Sequence, residues 1–209
     1  FVSMMKTELS GATTVPATVP SSPGVATPDV EFTKTLPNGK TVHVVALLVD
    51  NIRAGSAAFN TRYETLSTRA DMIAYNGHAA LGANVQWLAN HGKWTRGQYS
   101  IMFMNGCDTF AYVDDALFRA HAAINPDDTN GTRYQDVVLN GMPSYFANMA
   151  GASMALFRGL LQVDAPKTYE QIFTKISSTQ LVMVTGEQDN MFTPGAGGAP
   201  EAWSGLNEQ

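Results

Sequence analysis

Along the chain, short runs of β-branched and aromatic residues take turns with stretches whose apolar positions recur every three to four residues, separated by polar turn-formers. The run EFTKTLPNGKTVHVV sets Pro37, Asn38 and Gly39 between two β-prone segments, which predicts a hairpin pairing residues 32–36 with 41–49. VHVVALLVD is apolar nearly throughout and reads as a central strand covered on both faces. AAFNTRYETLSTR follows with Phe59, Tyr63 and Leu66 at helical spacing. DMIAYNG is then a short strand, ANVQWLAN a helix and YSIMFMNG another strand, and this alternation predicts parallel pairing.

Farther along, VDDALFRAHAAI has a helical pattern and NPDDTNGTRY is a turn-rich loop. DVVLNGMPSYFANMAGASMALFRGLLQ reads as a strand or turn leading into a long apolar helix, YEQIFTKISS as an amphipathic helix and QLVMVTGEQ as a last strand. Residues 11–30 hold Pro16, Pro20, Pro23 and Pro28, so residues 1–30 are expected to form a linker or extended surface segment. The Gly- and Pro-rich tail 193–209 is expected to be irregular. The expected architecture is an α/β domain over residues 31–192, a three-layer α/β/α sandwich with a mostly parallel central sheet.

Composition narrows the function classes. A chain of 209 residues, 44% hydrophobic, is long enough for a full core of one domain. Its net charge of −5, with 13 Lys and Arg spread along the sequence, argues against a nucleic-acid surface. No apolar run reaches the roughly 18 residues of a membrane span, and no signal-peptide pattern is present. Only 15% of residues are charged, and Thr, Ser, Asn, Gly and Ala are plentiful, a balance that suggests a secreted or cell-envelope protein.

Candidate chemistry centres on two strand ends. Cys107, the chain's one cysteine, closes the run SIMFMNG, and His78 closes MIAYNG about thirty residues earlier. A lone cysteine is either a small buried hydrophobe or a nucleophile. In a parallel α/β sheet, ligands bind outside the carboxyl ends of the strands, and both residues belong to that rim. A thiolate is the nucleophilic form, and an imidazole beside it can take the thiol proton and later deliver it to a leaving amine. Gly106 lets a substrate backbone approach, and the Cys107 amide can donate to an oxyanion.

An apolar strand ending in YNGH, followed by one ending in NGC, resembles the caspase-like superfamily of cysteine peptidases, which includes caspases, legumains, gingipains and clostripain. The short spacing is closest in layout to gingipain-type and bacterial caspase-like members, and the likeness covers roughly residues 42–162. The resemblance implies a Cys107–His78 dyad acting on a polypeptide substrate without metal or organic cofactor. It also implies an oxyanion hole of backbone amides at Cys107 and at residue 79, where this chain has Ala79 in place of the family's usual glycine. Family members select one substrate side chain through a charged residue, and Asp50 and Asp108 are the candidates here. A prosegment or inhibitory role for residues 1–30, and a catalytically inactive domain serving as a binding or assembly module, are further readings that it carries.

Other residues have plainer readings. His43 reads as a packed strand residue, His91 as a loop residue and His121 as a helix-face residue, with none of the close pairing that zinc favours. Asp114, Asp115 and the NPDDTNG loop lack the EF-hand pattern and read as solvated turns. Trp87 and Trp94 either wall a groove or pack in the core. GASMA lacks the final glycine of a serine-hydrolase elbow, which leaves that class a distant third.

Overall fold

The computed structural model describes residues 1–162 and 164–190, so the tail from Thr193 lies outside the described residues. The chain divides into two compact units, residues 1–61 and 62–209.

The first unit opens with helix α1 (Val2–Glu8), followed by β1 (Thr13–Val15), β2 (Asp29–Thr35) and β3 (Thr41–Leu47) in an antiparallel sheet of order β1-β2-β3. The expected hairpin is present: β2 and β3 pair from Asp29–Leu47 to Thr35–Thr41. Gly39 takes φ +83° in its turn, where the Asn38 side chain accepts from the Lys40 amide at 3.1 Å. Residues 1–30, expected as a linker or extended surface segment, supply helix α1 and edge strand β1. Val2, Met5 and Leu9 recur at helical spacing and are buried, as is Val19 in the Pro-rich stretch. Each such side chain is worth roughly 1.5–3 kcal/mol when fully buried, which offsets the cost of ordering a proline-rich segment.

The expectation for VHVVALLVD also changes. β3 is an edge strand of this antiparallel sheet and only Ala46 along it is buried, so it is no central strand of a parallel sheet. A tight hairpin commits one edge of β3 to β2, and its polar residues take the solvent side. His43 is among them: its Nε2 lies 2.8 Å from a Glu31 carboxylate oxygen, diagonally across the pair.

After a 3-10 turn at Ile52–Ala54, helix α2 (Ala57–Ser67) contains the boundary between the units. The second unit continues with β4 (Met72–Asn76), α3 (Ala83–His91), β5 (Ser100–Asn105), α4 (Thr109–Tyr112), α5 (Ala116–Ile124), β6 (Gln135–Asn140), α6 (Phe146–Leu160), α7 (Tyr169–Phe173) and β7 (Val182–Thr185). Its sheet has the order β4-β5-β6-β7; the first three strands are parallel and β7 runs antiparallel to β6. The protein is therefore α/β, with a mostly parallel four-stranded sheet in one unit and an antiparallel three-stranded sheet in the other.

All six residues of β5 and of β6 are buried, which demands cover on both faces. On one face Ile101, Phe103 and Val138 pack with Ala152, Ala155 and Leu156 of α6 and Ile172 of α7. The alternate residues Met102, Met104, Val137 and Leu139 are completely buried on the other. No helix among the described residues is long and apolar enough to cross a membrane.

Candidate active site

Strand register brings the two candidate residues together. Asn76 at the end of β4 pairs with Asn105 at the end of β5, and the Gly77 amide continues the ladder to the Asn105 carbonyl at 3.2 Å. His78 and Cys107 each lie two residues beyond that pair in sequence, in the loops that leave β4 and β5. Both line one open pocket of about 340 Å³ together with Ala79, Ala80, Leu81, Asp108 and Tyr112.

Gly106 has a different role from the one expected. It is buried, and a Cβ built on it would stand 2.7 Å from the Gly77 carbonyl oxygen and 3.3 Å from the Ala79 nitrogen. The missing side chain thus lets the Cys loop touch the His loop, and a substrate gains no direct access there. Asp50 is an exposed residue just past β3 in the first unit, so the argument that set it at a strand end of the parallel sheet no longer applies. Asp108, by contrast, lines the pocket.

The loops hold the backbone under strain. Ala80, Leu81 and Asp108, each with φ +52°, are the non-glycine residues in the left-handed region among those described, and all three line this pocket. Such conformations cost on the order of 1–3 kcal/mol each and persist where surrounding structure enforces them. Here the enforcement is visible. The His78 carbonyl accepts from Tyr75 Oη at 2.8 Å and from Asn84 Nδ2 at 2.7 Å, and the Asp108 amide donates to the Met142 carbonyl at 3.2 Å. The amides of Ala79 and Cys107 donate to no group among the described residues, whereas that of Gly106 is taken by the Met104 carbonyl at 3.1 Å.

The imidazole of His78 is exposed, meets the Phe146 ring edge-on at 4.9 Å, and is hydrogen-bonded by no side chain among the described residues. The Cys107 thiol is half-buried and unoxidised, and donates to the Ser144 carbonyl at 3.4 Å. His78 and Cys107 thus share the pocket, the thiol being held by the Ser144 carbonyl and the imidazole by its edge contact with Phe146.

Beneath it lies a polar network that sequence reasoning missed. Asn105 is completely buried and donates to Asn76 Oδ1 at 2.9 Å and the Met149 carbonyl at 3.0 Å. Its Oδ1 accepts from Asn140 Nδ2 at 2.8 Å, Ser144 Oγ at 3.1 Å and Gln180 Nε2 at 3.1 Å. Asn76 and Asn105 are the last residues of β4 and β5, and Asn140 is that of β6. The visible signal was the repeated Asn-Gly in YNG, MNG and LNG. Through Ser144 the network reaches the carbonyl that holds the thiol.

The remaining residues stay apart from the pocket. His91 stacks on Trp87 at 4.0 Å, Trp94 packs on the buried His121 at 5.0 Å, and neither tryptophan lines the pocket. The described residues hold no cluster of three or more His, Cys, Asp or Glu suited to a metal ion. Compared with models of known families, with curated proteins and with solved structures, the chain finds no match.

Proposed function

We propose that this protein is a cysteine peptidase of caspase-like, three-layer architecture, with Cys107 as nucleophile and His78 as general acid and base. Cys107 Sγ attacks the scissile carbonyl carbon while His78 accepts the thiol proton. The C–N bond breaks as His78 passes that proton to the departing amine, and a thioester remains. Water, giving a proton to His78, then adds to the thioester carbonyl; the C–S bond breaks and the proton returns to sulfur.

The observation that carries this reading is the register: His78 and Cys107 occupy equivalent positions past the paired Asn76 and Asn105 and open into one pocket. The unpaired amides of Ala79 and Cys107 support an oxyanion site, since such donors act best when already oriented and not otherwise engaged. Strained residues confined to the same lining fit a functional site better than a packing contact.

One observation favours a catalytically silent binding or assembly module. The Cys107 sulfur is engaged with the Ser144 carbonyl at 3.4 Å and with no side chain among the described residues, as a structural cysteine would be. Alkylation of Cys107 by iodoacetamide across pH 5–9, in the native protein and in His78→Ala, separates the two. A dyad gives fast alkylation below pH 7.5 that is lost in the variant. A slow rate that follows an ordinary thiol in both proteins would overturn the peptidase reading.

A further inference from the structure

The substrate class follows from what surrounds the dyad. Among the described residues of the second unit, the large apolar side chains left exposed are Leu81, Phe110, Met142, Tyr145, Phe146 and Leu181, each at least 47% accessible and Leu81 at 83%. All six stand at one edge of the sheet. Leu81 follows β4, Phe110 follows β5, and Met142, Tyr145 and Phe146 follow β6. Leu181 precedes the antiparallel β7, and its carbonyl accepts from the Gly141 amide at 2.9 Å, which sets it at that same carboxyl edge.

Three of these residues reach the reactive pair or its loops. Leu81 lines the pocket that holds Cys107, the Phe146 ring meets His78, and the Met142 carbonyl anchors the residue after the nucleophile. Apolar area concentrated in this way marks a binding surface, because singly scattered residues are the ordinary pattern. Charge narrows the occupant. Residues 77–82, 106–115, 141–146 and 177–181 contain Asp108, Asp114 and Asp115 but no Lys or Arg, so an acidic substrate side chain finds no permanent cation in these loops, only the His78 imidazole.

We propose, resting on the peptidase reading, that the site takes polypeptide segments with Leu, Met, Phe or similar apolar side chains on both sides of the scissile bond. The recognition is hydrophobic, and Asp108 serves to repel acidic residues.

The test uses the full chain with a library of octapeptides carrying Leu, Phe, Arg, Lys, Asn or Asp beside the cleavage point, and with Leu81→Asn. Asparagine tolerates the φ of +52° at this exposed position, so the variant keeps its fold. Expected is a kcat/KM for Leu and Phe peptides at least about tenfold above that for Asp peptides, and a loss of about tenfold in Leu81→Asn that falls mainly on KM. Preference for Arg or Lys would overturn the apolar assignment and leave the peptidase reading standing. No cleavage combined with slow, His78-independent alkylation would overturn both. A dimer in sedimentation that Leu81→Asn disperses, with peptide kinetics unchanged, would assign the surface to self-association and also overturn the proposal.

Discussion

The two ends of the four-stranded sheet treat polar groups differently. At the amino end, Asp136 is completely buried and its carboxylate accepts from Tyr99 Oη at 2.7 Å, Tyr169 Oη at 2.5 Å and Asn190 Nδ2 at 2.7 Å. Burial raises the Asp136 carboxyl and these donors pull against it. The carboxyl end has a comparable network around Asn105, but above it lie strained loops, unpaired amides, an exposed imidazole and the apolar rim. Buried polar groups engaged with one another specify a fold. Left-handed backbone and unpaired amides gathered at one open pocket need a reason outside the fold, and the proposed substrate would supply one.

The largest effect we expect divides the carboxyl end itself into scaffold and reactive surface. Asn105→Leu keeps the branched shape but strands Asn140 Nδ2 and removes one partner from Ser144 and Gln180, and should cost about 3 kcal/mol in urea unfolding. Cys107→Ala removes a half-buried thiol with one long hydrogen bond and should cost less than about 1 kcal/mol. Equal losses in the two variants would mean that Cys107 is a packing residue, and the division of this end into scaffold and reactive surface would fail.

How much of this was legible in the sequence depended on how local each feature is. The hairpin around Asn38-Gly39 and the run from β4 to β6 follow from period and turn chemistry, and the placement of His78 and Cys107 at adjacent strand ends follows from those strands. Sheet membership is not local: the turn before VHVVALL specifies β2 as one neighbour, but nothing in the run says whether its other edge joins the parallel sheet, and it does not. Asp50 was misplaced for the same reason. The helical spacing of Val2, Met5 and Leu9 was present but overshadowed by the prolines that follow. The Asn76–Asn105–Asn140 network needed the strand order before the repeated Asn-Gly had meaning.

The remaining expectations probe the amino side by pH, where two buried groups act with opposite sign. His121 on α5 is buried with no partner for either ring nitrogen among the described residues, and burial lowers it from 6.5 to about 4. The unfolded chain therefore takes up a proton there first, so stability is full above pH 6.5 and is lost as pH falls toward 4, by about 3 kcal/mol. His121→Phe should abolish that loss in urea unfolding measured from pH 7 to 4. An undiminished acid loss in this variant would rule out His121 as its source.

Asp71, just before β4, gives the smallest and opposite effect. Burial raises its carboxyl from 3.8 to about 6, so the folded state holds the proton longer than the unfolded chain. Its contribution is full below pH 3.8 and is lost as pH rises through 6, by about 1 kcal/mol once solvent screening at this partly exposed group is allowed for. The two slopes oppose each other between pH 4 and 6, so the wild-type profile should be shallower than either alone. Removing His121 should uncover the decline with rising pH, and adding Asp71→Asn should reduce it. A profile unchanged by Asp71→Asn in that background would mean that the carboxyl is solvated, and that the amino side of the sheet owes its pH response to Asp136 and Glu187, whose carboxyls are also raised.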